Sequence, residues 1–182
     1  QLNPHFLFNT LNNLYGLSVV KSDKLPELML KLSDLLRYSL YETKETVVPI
    51  EREILYLENY VSLEKIRLES ETDIVFNKSG DLSSVQIAPM LLIVFVENAF
   101  KHIDTSQASK NNVEIYLEVE DDQLLFNCKN DFDPSALRKE NMEKGKSGIG
   151  LENAIKRLEL LYPDQHHLSI DKQGSKFNVE LS

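Results

Sequence analysis

The stretch Val85–His102, with the sequence VQIAPMLLIVFVENAFKH, decides how the rest of the chain folds. From Ile87 to Val96 every residue is apolar, alanine or proline. A helix that is apolar on nearly every side is buried on nearly every side, so we expect a core helix that opens near Pro89 and ends around His102. The charged and amide side chains that follow Val96 are costly to bury unless something pairs with them. They are therefore candidates for a functional site.

The polar end of this stretch brings three side chains to one face. Glu97 and Lys101 are four residues apart, and Asn98 and Lys101 are three apart, which places all three on the same side of a helix. A carboxylate, an amide and an ammonium group in one patch can hold a metal ion, its waters and a phosphate. The alternative is a helix that reaches the surface at its C-terminal end with an ordinary glutamate–lysine pair. This stretch alone does not separate the two interpretations.

Composition narrows the class of protein. The chain has 182 residues, of which 42% are hydrophobic and 27% charged, a balance typical of one or two soluble globular domains. Its formal net charge of -9 argues against a nucleic-acid binder, because phosphate contacts need a basic face. The charge does not exclude a nucleotide, which needs only a local positive site. The single cysteine, Cys128, excludes an internal disulfide bond and a metal site made of paired cysteines.

Membrane and targeting signals are missing from the sequence as given. The apolar run is too short, and too soon followed by charges, to span a bilayer, and no signal peptide is visible. The chain begins at Gln1 inside a helical pattern. We therefore expect a fragment of a longer protein whose upstream sensor or membrane segment is missing.

The first part of the chain has the apolar periodicity of helices. In residues 1–45 the pattern breaks at Ser22–Pro26, and Pro26 is well placed in the first turn of a second helix. Two such helices cannot bury their apolar stripes alone, so we expect a partner copy to complete a four-helix bundle. Ile50 opens a third, amphipathic helix with Glu53 on its polar side.

From residue 70 onward the pattern is that of an α+β domain. Alternation and β-branched runs predict strands, which are 73–77, 113–119, 124–129, 167–171 and 176–181. Asp121-Asp122 and Gly174 turn two hairpins, residues 130–147 form a long polar loop, and Leu151–Leu161 is a helix. This order of elements predicts an antiparallel or mixed sheet with helices on one face.

Gly148 and Gly150 stand at the start of that last helix. Glycine there lets backbone approach a ligand, and a helix N-terminus offers free N–H groups to an anion. A lone Gly-x-Gly is weak evidence, because it is often only a loop-to-helix entry. Together with the patch of Glu97, Asn98 and Lys101, and with the long loop as a cover, it suits ATP with Mg²⁺.

Three motifs carry a resemblance to a known family. ENAFKH (97–102) resembles the N box of the GHKL, or Bergerat-fold, ATPases. GKSGIGLENAIKRLELLYP (145–163) resembles their second glycine box, in the form found in LytS-like sensor histidine kinases. QLNPHFLFNTLNNL (1–14) is similar to the phosphoacceptor segment of that same family. The resemblance implies a helical dimerisation and phosphoacceptor segment at 1–45 and a Bergerat-type ATP-binding catalytic domain at 46–182, an α/β sandwich with a mixed sheet.

The resemblance also implies roles for individual residues. His5 would receive the γ-phosphoryl group of ATP, and Glu97 would be the base or polarising carboxylate. Asn98 would be the ligand of Mg²⁺, and Lys101 would contact the phosphates. The other implied nucleotide-binding residues are His102, Gly148, Gly150, Leu151 and, on the following helix, Asn153 and Arg157.

The chain departs from the family pattern at the adenine contact. That contact is usually an Asp inside a D-x-G-x-G box, whereas Cys128–Phe132 contains no glycine. Asn130 aligns with the Asp, and Asp131 is an alternative shifted by one residue. The Asn130 carbonyl can accept from the adenine amino group, although an amide is a weaker acceptor than a carboxylate.

A second departure lies beside the phosphoacceptor. Many histidine kinases place an acidic residue directly after the histidine, whereas Phe6 follows His5 here. The base must then come from elsewhere, and Glu97 is the candidate. Asn9, one helical turn after His5, would either orient a water that dephosphorylates a partner or be a polar residue of the bundle.

These features predict the cytoplasmic core of a homodimeric sensor histidine kinase in a two-component system. It would phosphorylate His5 in cis or in trans and pass the phosphoryl group to an Asp of a response-regulator receiver domain, and the full-length protein would be anchored in the inner membrane. One alternative is a degenerate ATP-binding or dimerisation module that signals without phosphotransfer, which the incomplete glycine box supports. Another is a GHKL ATPase that couples hydrolysis to conformational change without His5.

Overall fold

The structure, a computed structural model, describes residues 3–68, 72–103, 111–132 and 149–182. These residues contain the helices α1 (Pro4–Val19), α2 (Leu25–Tyr41), α3 (Ile50–Leu68), α4 (Ile93–Lys101) and α5 (Ile149–Leu161). They also contain the strands β1 (Val48–Pro49), β2 (Thr72–Gly80), β3 (Gln86–Ile87), β4 (Asn111–Glu120), β5 (Gln123–Asp131), β6 (Leu168–Gln173) and β7 (Lys176–Leu181).

The chain divides into two compact units. The first, the helical unit, comprises Gln1–Ser70 with Gln86–Met90, and the second, the sheet unit, comprises Glu71–Val85 with Leu91–Ser182. The domain boundary between residues 45 and 46 stays a prediction, because dense packing of a group of residues does not show which part folds by itself.

The helical unit contains the predicted helices. Asn3 caps α1, since its Oδ1 accepts a hydrogen bond from the His5 backbone N–H at 3.0 Å. Pro26 lies in the first turn of α2, as predicted, and α3 opens at Ile50. The two-residue strands β1 and β3 pair antiparallel and bring residues 86–90 into this unit.

One prediction about α3 is wrong. Glu53, predicted on the polar side of the helix, is 0% exposed. Its Oε2 accepts hydrogen bonds from the Tyr38 hydroxyl at 2.6 Å and from the Met90 backbone N–H at 3.0 Å. The carboxylate is therefore buried with partners, which is the condition under which a protein interior tolerates a polar group.

The sheet unit confirms the predicted fold class. Its five-stranded sheet has the order β2-β4-β5-β7-β6, in which β2 and β4 are parallel and the other pairs are antiparallel. Alternate residues of β4 are buried, and Phe95 of α4 contacts Phe126 of β5 with ring centroids 6.0 Å apart. The turn between β4 and β5 is made by Asp121 and Asp122, which have φ angles of 50° and 61°.

Strand β2 extends beyond its predicted bounds. The sequence predicts it at 73–77, but its pairing with β4 continues to Gly80. Gly80 has φ of +87°, and a Cβ there would lie 1.9 Å from the carbonyl oxygen of Val119. Only glycine fits this position, so Gly80 is the last paired residue of β2 and does not mark a turn before the end of the strand.

The predicted core helix is shorter than expected. The burial of Ile87–Val96 is confirmed apart from Val94, which is half-buried, but α4 begins only at Ile93. The residues before it form β3 and a turn in which Met90 has φ of +59°. An apolar run shows that a segment is buried, but a short run does not show whether the segment is strand, turn or helix. The predicted loop at 130–147 lies mostly outside the described residues.

Candidate functional site

The polar side of α4 faces away from the core. Val94, Glu97 and Asn98 are half-buried and Lys101 is exposed, whereas Phe95 on the opposite side is buried. Since these positions recur at intervals of three and four, they form one continuous strip along the helix. The Lys101 ammonium group is therefore open to a ligand, and Glu97 and Asn98 are partly open, although the Oε1 atom of Glu97 is buried. His102, which ends the helix, is half-buried.

The start of α5 lies beside this strip. A methyl group on Gly150 would be 3.8 Å from Cγ1 of Val94, one helical turn before Asn98. That distance is an ordinary van der Waals contact, so the packing of the two helices does not itself require glycine at this position. The N–H groups in the first turn of α5 have no partners within that helix, and this turn packs beside Val94, one turn before Asn98 of the N box. Gly148 lies outside the described residues.

Three further predicted residues follow Gly150 on α5. Leu151 is half-buried, Asn153 is exposed and Arg157 is half-buried. Asn153 and Arg157 follow Gly150 by three and seven residues, so they share its side of the helix. Leu151 does not share that side, and its partial burial is typical of a packing residue.

Strand β5 distinguishes the two candidates for the adenine contact. Asn130 is 3% exposed and lies on the helix-covered face of the sheet, like Phe126 and Cys128. Asp131 points to the opposite face, because successive strand residues alternate, and its Oδ2 accepts a hydrogen bond from the Asn112 backbone N–H at 2.9 Å. Only Asn130 is therefore on the same side of the sheet as α4.

The Asn130 side chain is incompletely hydrogen-bonded. Its Nδ2 donates to the backbone carbonyl of Asp131 at 3.0 Å. Its Oδ1 is buried and accepts no hydrogen bond from any residue that the structure describes. Leaving such an acceptor unpaired costs about 1–3 kcal/mol, and native proteins keep few of them. The unpaired Oδ1 is thus a position where a ligand could donate a hydrogen bond.

Cys128 joins β5 to α4. Its thiol donates a weak hydrogen bond to the Phe95 backbone carbonyl at 4.0 Å, and burial raises the pKa of the thiol to about 12. A thiol with that pKa is protonated and unreactive near neutral pH, so Cys128 has a packing role. Because Asn130 follows two residues later, it lies close to the point where the strand meets the N-box helix.

His5 is exposed on the helical unit, at the second position of α1. Asn9 follows His5 by one helical turn, and its side-chain nitrogen lies 3.3 Å from Nδ1 and 3.4 Å from Nε2 of the imidazole. The amide of Asn9 therefore contacts the ring of His5. Phe6, in contrast, is 5% exposed and stacks on Tyr60 of α3, with ring centroids 4.5 Å apart and an angle of 29° between the rings. The imidazole is therefore accessible while its neighbour is fixed in the core.

The donor set suits a metal held partly by a nucleotide. Among the described residues no group of three or more His, Cys, Asp or Glu could hold a metal ion by itself. Mg²⁺ is usually bound by one or two protein oxygens together with substrate phosphates and water, and the Asn98 carbonyl is a hard oxygen donor of that kind.

Two interactions were not foreseen from the sequence. The sequence contained information that could have predicted the burial of Phe6 and Tyr60, since both residues fall on apolar stripes of their helices. The burial of Glu53 could also have been predicted, because Glu53 stands next to Ile54 and three residues after Ile50, within the inward stripe of α3.

Comparison with known proteins gives the relatives of the chain. The family described as "Histidine kinase" matches residues 1–72. Sensor protein LytS of Enterococcus faecalis is 29% identical over 100% of this chain and 32% of its own length, and LytS of Bacillus subtilis is 29% identical over 97% and 31%. Sensor histidine kinase/phosphatase LytS of Staphylococcus aureus is 32% identical over 63% of this chain. The chain thus spans about a third of the length of the first two relatives.

Solved structures agree at the level of the fold. The catalytic domain of histidine kinase ThkA has a TM-score of 0.50 at 15% identity, covering 75% of this chain and 93% of that one. A structure described as a bacterial phosphotransferase has a TM-score of 0.51 at 11% identity, covering 98% and 88%. In the part of the chain that the structure describes, no helix is both long and apolar enough to cross a bilayer. In its sequence the chain is thus similar to LytS-like sensor histidine kinases, and in its fold it is similar to the catalytic domain of a histidine kinase.

Proposed function

We propose that the chain is the catalytic core of a two-component sensor histidine kinase, which uses ATP and Mg²⁺ to phosphorylate His5 and passes the phosphoryl group to an aspartate of a response-regulator receiver domain. The observation that carries the proposal is the buried Oδ1 of Asn130, which accepts no hydrogen bond from the described residues and lies on the same sheet face as the N-box helix. The cytoplasmic location, and the membrane anchor of a longer protein, remain predictions.

The adenine end of ATP fits Asn130. The exocyclic amino group of adenine is a hydrogen-bond donor, and the Asn130 Oδ1 is an acceptor without a partner among the described residues. Pairing the two removes the cost of the unpaired acceptor, so the amide retains the role that an Asp has in most relatives.

The phosphate end fits the strip on α4 and the beginning of α5. Lys101 supplies a positive charge, and the N–H groups near Gly150 supply donors to an anion. Asn98 would hold Mg²⁺, whose chemistry is to neutralise the charge that develops on the phosphate oxygens. Together these groups would position the γ-phosphoryl group and stabilise its negative charge.

The chemistry at His5 is a nucleophilic substitution. A neutral imidazole is a competent nucleophile near neutral pH, and the ring of His5 is accessible. One ring nitrogen forms the bond to phosphorus while the bond between the γ-phosphorus and the bridging oxygen of ADP breaks. The other ring nitrogen then gives up its proton, and Glu97 is the carboxylate proposed to accept it. Asn9, in contact with the ring, would hold its orientation.

Exposed apolar side chains on α1 and α2 support a homodimer through residues 1–45. Phe8 is 67% exposed and Tyr15 is 71% exposed on α1, and Leu30 is 68% exposed on α2. Phe8 and Tyr15 are seven residues apart and so lie on one side of α1, and apolar side chains exposed together on a helix are typical of an interface. We propose that a second copy covers it and completes the predicted four-helix bundle.

The test is incubation of the chain with Mg²⁺ and γ-labelled ATP, beside the variants His5→Gln and Asn98→Ala. Acid-labile label on the protein, absent from both variants and transferable to a receiver domain, is expected. ATP binding without any label would favour the degenerate binding module. Steady release of phosphate without label would favour an ATPase that does not use His5.

A further inference from the structure

Phe6, the residue directly after the proposed phosphoacceptor His5, is the point at which the beginning of α1 packs into the core. Phe6, Thr10 and Leu14 are buried and form the inward side of α1, whereas His5 is exposed and Asn9 is half-buried. Phe6 is the inward residue nearest to the beginning of the helix. The first turn of a helix frays unless something holds it, because its N–H groups have no partners within the helix. The packing of Phe6 therefore decides how firmly the turn that carries His5 is held.

The partner of Phe6 is itself fixed. Tyr60 of α3 is 3% exposed, and its ring stacks on Phe6 at 4.5 Å between centroids. Its hydroxyl donates to Glu64 Oε1 at 3.2 Å, and Glu64 Oε2 accepts from Arg67 Nε at 2.6 Å. Glu64 is 5% exposed, so this carboxylate lies in the interior with both oxygens bonded. The tyrosine is thus held at its ring and at its hydroxyl.

We infer that Phe6 and Tyr60 are positioning residues for phosphorylation of His5, in that their stacked rings fix the first turn of α1 against α3 and so fix the direction in which the imidazole is presented. The inference rests on the proposed kinase activity. Phosphoryl transfer depends on alignment, and a displacement of the order of 1 Å is worth about 100-fold in rate. Neither ring carries a group that takes part in the transfer, so the two residues would act only through the position of His5.

The experiment compares Phe6→Ala with Leu14→Ala, a matched control on the same inward side of α1 but more than two turns from His5. Both variants lose a buried side chain and are expected to lose comparable stability. Phe6→Ala should lower the rate constant of autophosphorylation about tenfold or more and leave the KM for ATP unchanged. Leu14→Ala should leave both unchanged at a temperature where both proteins are folded.

Variants of Tyr60 separate the ring from the hydroxyl. Tyr60→Phe keeps the stack and should stay within about threefold of the unsubstituted chain, whereas Tyr60→Leu should match Phe6→Ala. The double variant Phe6→Ala/Tyr60→Leu should be no slower than either single variant, because the two act through one contact. Equal loss of rate in Phe6→Ala and Leu14→Ala would overturn the inference. It would also be overturned if the fold-loss in rate of the double variant equalled the product of the fold-losses of the two single variants.

Hydrogen exchange supplies a readout that does not need kinase activity. Amides of the first helical turns, such as the Leu7 N–H that bonds the Asn3 carbonyl at 3.1 Å, should exchange about tenfold faster in Phe6→Ala and at an unchanged rate in Leu14→Ala. If the unsubstituted chain takes no label from ATP, the proposed function fails. If it takes label but the exchange rates of the two variants agree, the positioning role fails.

Discussion

Replacing Asn130 by leucine should change the stability and the nucleotide affinity of the chain in different directions. Leucine has nearly the shape of asparagine but carries no polar atoms. The substitution removes a buried acceptor whose desolvation is uncompensated among the described residues, a gain of about 1–3 kcal/mol in the free energy of unfolding. It also removes the hydrogen bond from Nδ2 to the Asp131 carbonyl, a loss of about 0.5–1.5 kcal/mol. The ligand-free variant should therefore lie between about 0.5 kcal/mol less stable and about 2.5 kcal/mol more stable than the original chain.

The affinity for ATP should fall because the adenine amino group loses its acceptor. A hydrogen bond between neutral groups in a desolvated site, with its donor left unpaired on removal, is worth about 1–2 kcal/mol, which corresponds to a loss of about 5- to 30-fold in affinity. Urea unfolding of the ligand-free protein measures the first quantity, and titration calorimetry with ATP measures the second. Asn130→Asp should show the reverse pattern, with lower ligand-free stability and tighter ATP binding, since a carboxylate is the stronger acceptor but is costly to bury unpaired.

The matched control is Asp131→Leu, on the opposite face of the same strand. It should leave the affinity for ATP unchanged. The reasoning is refuted if Asn130→Leu unfolds more easily by more than about 2 kcal/mol while binding ATP as before, since Asn130 would then be a structural residue. It is equally refuted if Asp131→Leu, and not Asn130→Leu, weakens ATP binding.

Three further predictions concern the fold. Asp121→Asn with Asp122→Gly, at φ angles of 50° and 61°, should raise the unfolding free energy by about 1 kcal/mol and the melting temperature by about 2–4 °C in calorimetry, because Asn-Gly suits a two-residue hairpin turn. Burial raises the pKa of Cys128 to about 12 from its ordinary value of 9.0. The protonated, buried thiol therefore contributes its full stability below about pH 9, and this contribution is lost as the pH rises toward 12. In urea unfolding between pH 8 and pH 10, Cys128→Ala should lose less stability than the original chain, and a thiol reagent should label only unfolded protein. Glu53→Leu removes the acceptor of the Tyr38 hydroxyl and the Met90 N–H and should cost about 3–5 kcal/mol in urea unfolding, whereas Glu53→Gln keeps an acceptor and should cost clearly less. Equal losses would show that the hydrogen bonds to Glu53 are unimportant.

The periodicity of apolar residues predicted which helices and strands form, but it predicted much less about where they begin and about their backbone conformation. The alternation of apolar residues in β4 and their helical spacing in α1 to α3 were sufficient to predict the type of each element, because each has one buried side. The same reasoning failed at Ile87–Val96, where burial on every side removes the pattern that distinguishes strand from helix. The left-handed backbone of Met90 had no signal in the sequence, and its N–H donates to Glu53, which lies 37 residues away along the chain.

The choice between Asn130 and Asp131 could have been made from the sequence. The resemblance to the family left the two open, because a motif without its glycines has no fixed register. The period of two in β5 resolves it, since Phe126 and Cys128 are apolar and share their face with residue 130. The burial of Glu53 had a signal in its place on the inward stripe of α3, but its hydrogen-bond partners Tyr38 and Met90 could not be predicted, because they lie 15 and 37 residues away along the chain.

The residue after the phosphoacceptor shows how packing constrains the chemistry. Position 6 faces the interior and lies against the ring of Tyr60, so an acidic side chain there would be buried in the aromatic contact. An ionised carboxylate in that place would need partners that the stack does not offer, and it would be protonated or would disrupt the first turn of α1. An anchor in the core and a proton acceptor cannot both be provided by residue 6. If Phe6 is the anchor, the proton of His5 has to leave toward another part of the structure, which is why the proposed mechanism assigns it to Glu97.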